Sequence, residues 1–185
     1  MQGSPNGRGD GKSGTMAPID PILRRWLPAA LLASLAMLAI AHAFETFGGY
    51  APCHLCLQQR DAYWAAAAIA VAGLVAHRAV PAFRRWPVFE VLLALAFLAG
   101  GAIAVQQAGA EWKWWPGPEG CSGVRLVTTA DILRGLAGKG GPAPRCDVAA
   151  WRFLGLSMAG WNAVASAGLV GLSLWAAARR GRAGS

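Results

Sequence analysis

Four long apolar stretches, each almost free of charge, constrain this chain more than any other feature. They run from about Trp26 to Phe44, Ala62 to Ala76, Val91 to Ala110 and Phe153 to Ala178. A helix rises about 1.5 Å per residue, so roughly 20 apolar residues cross a hydrocarbon layer about 30 Å thick. The second stretch is short, but a helix from Leu57 to His77 reaches the required length if Arg60 and Asp61 snorkel to the outer interface. The expected fold is therefore an all-α integral membrane protein. It is a four-transmembrane-helix bundle with spans near 26–44, 57–77, 89–109 and 154–177, and a long outer loop, 110–153, joins helices 3 and 4.

Charge supports lipid as the solvent. Only 14% of residues are charged against 55% hydrophobic, well short of the roughly 25% charged residues usual in soluble domains. The net charge of +8 does not point to nucleic acid, because no folded polar domain remains to present a basic face. Instead Arg24, Arg25, Arg78, Arg84, Arg85, Arg179, Arg180 and Arg182 flank the apolar stretches. The excess of basic residues in short flanks puts both termini in the cytoplasm and the segments around Cys53–Cys56 and 110–153 outside a bacterial-type inner membrane. The long loop is itself somewhat basic, with Lys113, Arg125, Arg134, Lys139, Arg145 and Arg152 against Glu111, Glu119, Asp131 and Asp147. That bias opposes the orientation weakly, since longer translocated loops carry less weight. Trp26, Trp64, Trp86, Trp112, Trp114, Trp115, Trp151 and Trp175 fall near helix ends, where amphipathic rings favour the headgroup region.

Three segments divide the chain: a Gly/Ser/Pro-rich leader over 1–21, a membrane domain over 22–178 and a basic cytoplasmic tail over 179–185. Ala41-His42-Ala43 after the first apolar run is also compatible with a cleavable signal peptide, which would remove that helix. In the outer loop Trp114-Trp115-Pro116-Gly117-Pro118 breaks regular structure. Leu126 to Leu136 can form a short surface helix, followed by a Gly/Pro-rich connection to Cys146.

Four cysteines fall into a close pair, Cys53 and Cys56, and a distant pair, Cys121 and Cys146. Spacing alone leaves their connectivity open. A C-x-x-C at a helix start can close a disulfide, and the orphan N–H groups and dipole there stabilise a thiolate. Arg60 stands four residues after Cys56, on the same helical face, where a guanidinium can stabilise negative charge on an electron acceptor such as a quinone. The same cysteines with His54 also permit a zinc site, although an adjacent arginine favours an anion over a metal cation. Cys121 and Cys146 read either as a structural cross-link or as a mobile pair exchanging disulfides with a soluble thiol partner.

Cys53-His54-Leu55-Cys56 followed by Arg60, Trp115-Pro116-Gly117-Pro118-Glu119-Gly120-Cys121-Ser122, and Cys146-Asp147 followed by Trp151, Phe153-Leu154-Gly155-Leu156-Ser157-Met158 and Trp161 occur in one order. In that combination the chain resembles, over about residues 22–176, the disulfide-bond formation protein B family. These are inner-membrane quinone reductases that reoxidise a periplasmic thiol oxidase, DsbA. The resemblance implies that Cys53–Cys56 is regenerated by ubiquinone or another membrane quinone, with Cys56 at the quinone ring and Arg60 assisting. It also implies that Cys121 pairs with Cys146 and forms the mixed disulfide with a soluble DsbA-like partner in the periplasm. Gln107 stands where many relatives have a histidine near the outer end of the third helix; it can bind the quinone by hydrogen bonds but cannot become cationic near neutral pH. Glu45 is read as interfacial rather than as a catalytic base, and no metal is expected. The competing readings are a disulfide-stapled or metal-binding membrane scaffold, and a related enzyme serving one dedicated thiol partner.

Overall fold

The computed structural model describes residues 25–118 and 145–184. Residues 1–24, 119–144 and 185, with Cys121 and the expected helix over 126–136, lie outside the described residues. Helix α1 spans Trp26–Thr46, α2 His54–Ala79, α3 Val88–Glu111 and α4 Met158–Gly184, and a single 3-10 turn, Pro81–Arg85, links α2 to α3. All four helices are long and apolar enough to cross a membrane. Pro28 falls in the first turn of α1, where its missing N–H would have had no intrahelical acceptor, so the helix tolerates it.

Association of the helices rests on small side chains. Ala66, Ala70 and Gly73 of α2 are buried, while Gly100 of α3 is so close to α2 that a Cβ there would lie 3.0 Å from the Ala62 Cβ. Gly101 approaches Ser166 of α4 equally closely. Lipid offers no hydrophobic drive for helix pairing, so such close backbone approach supplies the packing energy. Leu32, Leu35 and Ile40 of α1 and Leu95 and Leu98 of α3 point outward, as a lipid-facing surface requires.

The antiparallel order puts the start of α2, the end of α3 and the start of α4 at one end of the bundle, so Cys53, Cys56 and Cys146 share that end. Arg25, Arg78, Arg85, Arg179, Arg180 and Arg182 share the other. At the arginine end Trp26 Nε1 donates to Ser173 Oγ at 3.1 Å. There Arg180 also pairs with the fully buried Glu90 at 2.7 Å, tying α3 to α4.

The fourth helix begins at Met158 rather than near 154, because the preceding residues form a hairpin, β1 Arg152–Phe153 antiparallel to β2 Leu156–Ser157. Leu154 (φ 52) and Gly155 (φ 83) both adopt the left-handed conformation that a tight two-residue turn of this kind needs. Ser157 then caps α4, its hydroxyl accepting from Gly160 N at 3.1 Å. The hairpin is pinned to the helix by Trp161 Nε1, which donates to Phe153 O at 3.0 Å. Trp151 packs against Phe44 of α1 with ring centroids 5.4 Å apart.

Candidate active site

Cys53 is the N-cap of α2, in extended conformation after Pro52, and its sulfur accepts from Cys56 N at 3.3 Å. The C-x-x-C spacing is therefore the spacing from a cap to the third helical residue. It brings the two sulfurs to 2.7 Å, close enough for a disulfide to form without rearranging the backbone. Hydrogen bonding to Cys56, reinforced by burial, pushes the Cys53 thiol above its ordinary range. Cys146, fully buried, packs into the same cluster as Cys53 and Leu55, with Cys56 and Ile103 at its edge. Cys53, Cys56 and Cys146 are all free of disulfides.

What holds Cys146 there is a charged clasp on the next residue. Arg145 Nη2 and Lys113 Nζ reach Asp147 Oδ2 at 2.8 and 2.9 Å, and Lys113 also donates to the Asp147 carbonyl at 2.8 Å. The hydrogen bonds from Arg145 and then Lys113 hold the Asp147 carboxyl well below the usual carboxylate range.

A cavity of about 840 Å3 adjoins the cysteines. Its walls come from Met37, Leu38 and Phe44 of α1 and Met158, Ala159 and Ala165 of α4. Polar groups lining it include Tyr50, Cys53, Cys56, Gln59, Arg60, Tyr63, Gln107, Glu111, Arg145, Ser157 and Asn162. Since α1 packs mainly on α2, and α4 on α3, the cavity occupies the gap between the first and last helices.

The sequence-derived candidates Cys53, Cys56, Arg60 and Gln107 all line this one cavity. Gln107 lies against Cys56, with Nε2 3.6 Å from the sulfur. Arg60 turns toward α1, where it pairs with Glu45 Oε2 at 2.5 Å and donates to Ala41 O at 3.1 Å. Glu45 is thus the counter-ion of Arg60, a role that sequence reading did not assign. Cys146 joins the cluster, and its expected partner Cys121 lies outside the described residues.

Sequence reading also missed a chain of buried polar side chains whose donors all point one way. Tyr63 OH donates to Asn162 Oδ1 (2.6 Å), Asn162 Nδ2 to Gln59 Oε1 (2.5 Å), Gln59 Nε2 to Gln107 Oε1 (2.8 Å) and Gln107 Nε2 to Glu111 Oε1 (3.1 Å). The chain orients the Gln107 amide, because Gln59 supplies a donor to its oxygen while the Glu111 carboxylate can only accept from its nitrogen. A signal was available: Cys56, Gln59, Arg60 and Tyr63 recur at helical spacing on one face of an apolar span, as do Gln107 and Glu111.

A family model described as Disulfide bond formation protein DsbB matches residues 23–176. Among similar proteins, Disulfide bond formation protein B of Azoarcus sp. is 31% identical over 76% of this chain and 83% of its own length. The protein of that name from Methylococcus capsulatus is 30% identical over 83% of this chain and 93% of its own. That of Verminephrobacter eiseniae is 30% identical over 90% and 92% respectively.

Proposed function

Because the chain belongs to the DsbB family of disulfide bond formation proteins, and so is a multi-pass membrane protein acting in disulfide formation, we propose that Cys53–Cys56 is the redox centre through which thiol electrons reach a membrane quinone. The observation that carries this reading is the single cavity in which both sulfurs, a guanidinium and an oriented amide meet between apolar helices.

The residues present suit a quinone, ubiquinone or another lipid-soluble one. The cavity volume is within the range that holds a small ligand, and its α1 and α4 walls match an apolar ring and tail. Arg60 and Gln107 supply N–H donors for carbonyl oxygens, and the gap between α1 and α4 offers entry from the lipid. A quinone bound there supplies a two-electron sink. Cys56 presents the reacting sulfur, Cys53 stands beside it to close the disulfide, and Arg60, steadied by Glu45, stabilises developing negative charge.

Electrons enter, in this reading, from a soluble DsbA-like thiol oxidase. Cys121 and Cys146 form the pair that the partner attacks, and contact between Cys146 and Cys53 gives the short path for exchange onto the inner pair. The cysteine end faces the periplasm and the arginine end the cytoplasm of an inner membrane, following the basic flanks.

The test is partner-dependent quinone reduction by the purified protein. Cys56→Ser is expected to abolish it with folding intact, and full turnover in that variant would remove the inner redox centre. Arg60→Ala should raise the quinone concentration needed for half-maximal rate by about tenfold, the effect of losing one charge-assisted hydrogen bond of about 1.4 kcal/mol. An unchanged dependence would remove its role.

A further inference from the structure

Glu111 ends the polar chain inside the cavity. It is 7% exposed, and among the described residues no cation is paired with it. Oε1 is occupied by the Gln107 amide, while Oε2 is buried without a hydrogen-bond partner. A buried carboxyl oxygen with no partner is costly, and more so when the carboxyl is ionised than when it is protonated. The arrangement has a chemical consequence: a proton can be loaded on and off Oε2 without disturbing the hydrogen bond that orients Gln107 against Cys56.

We infer that Glu111 is the proton-carrying residue of the redox site, taking a proton from the cysteine pair and delivering it to the electron acceptor bound in the same cavity. The inference rests on the quinone-linked reading above. In that reaction the S–H bonds of Cys53 and Cys56 break, one S–S bond forms, two electrons pass to the quinone and its two oxygens gain two protons. Glu111 Oε2 carries the proton given up by Cys56. The proton of Cys53 leaves as the S–S bond closes and goes to the second oxygen, so dithiol plus quinone balances disulfide plus quinol.

The other titratable or charged groups sharing the cavity are Tyr50 and Cys53 from the segment before α2, Cys56, Arg60 and Tyr63 of α2, and Arg145 from the segment before α4. Arg60 is held by Glu45 and Arg145 by Asp147, and neither guanidinium gives up a proton. The Gln107 amide does not exchange a proton near neutral pH, and Glu111, one helical turn further along, is the one carboxyl in the cavity lining among the described residues.

Two measurements test this. Single-turnover oxidation of the dithiol protein by a short-chain quinone should be at least tenfold slower in Glu111→Gln, with Glu111→Asp recovering part of the rate. In wild-type protein, infrared difference spectra between dithiol and disulfide states should contain a carboxylic-acid C=O band. That band should be missing from Glu111→Gln and shifted in Glu111→Asp. A wild-type spectrum without such a band overturns the inference even if a variant fails to fold, as does a Glu111→Gln protein with wild-type rate. If the wild-type protein itself reduces no quinone, the functional reading fails instead.

Discussion

Asp147 illustrates how one side chain sets the position of a neighbouring cysteine. Its carboxylate is tied by Arg145 and Lys113, so Cys146, the residue before it, stays buried against Cys53. A carboxyl whose folded-state pKa is depressed stabilises above its unfolded value of about 3.9 and loses that contribution as pH falls through the lower folded value. The clasp should therefore hold across the whole range from neutral down to about pH 4, and amide protection factors around Cys146 should fall only in stronger acid. Asp147→Asn should show the low protection already at pH 7; wild-type protection in that variant would mean that packing alone holds the segment. Gln107 acts on Cys56 in a comparable way. Gln107→Ala removes the amide beside the sulfur and leaves Gln59 without its acceptor, so dithiol oxidation by quinone should slow about tenfold while the sulfurs remain able to pair.

Among the helices and the hairpin, backbone fit decides. Gly100 admits α2 to within 3.0 Å of where its Cβ would be, so Gly100→Leu must push α2 and α3 apart. The expected cost is about 1–3 kcal/mol, together with a loss of quinone turnover, since the same shift separates Cys56 from Gln107. A melting temperature and rate equal to wild type would show that the α2–α3 interface is not the element aligning the site. In the hairpin, Leu154 is a large residue at positive φ with its side chain exposed. Leu154→Asn suits that conformation better and should stabilise the protein by about 0.5–1 kcal/mol, read as a higher melting temperature in detergent.

For the molecule as a whole, the proposed function predicts that the two ends of the bundle have separable tasks. At the arginine end, Arg180 neutralises Glu90, which is wholly buried. Arg180→Ala leaves that carboxylate unpaired and should cost about 3–5 kcal/mol, whereas the double change Glu90→Gln with Arg180→Met should recover most of it. Thiol-to-quinone transfer at the opposite end should proceed at wild-type rate in the double variant, and a slowed rate would show that the ends are coupled. The sequence by itself determined the four spans, the segregation of cysteines from arginines, and the likeness in Cys53–Cys56, Arg60 and the Trp151–Trp161 region, because hydropathy and flanking charge act locally on each segment against the bilayer. Tertiary structure alone decided that Glu45 meets Arg60, that Cys146 meets Cys53, and that Tyr63, Asn162, Gln59 and Gln107 line up on Glu111. Those meetings depend on the rotation and depth of each helix against the others, which close packing of small residues sets and no single helix's sequence pattern specifies.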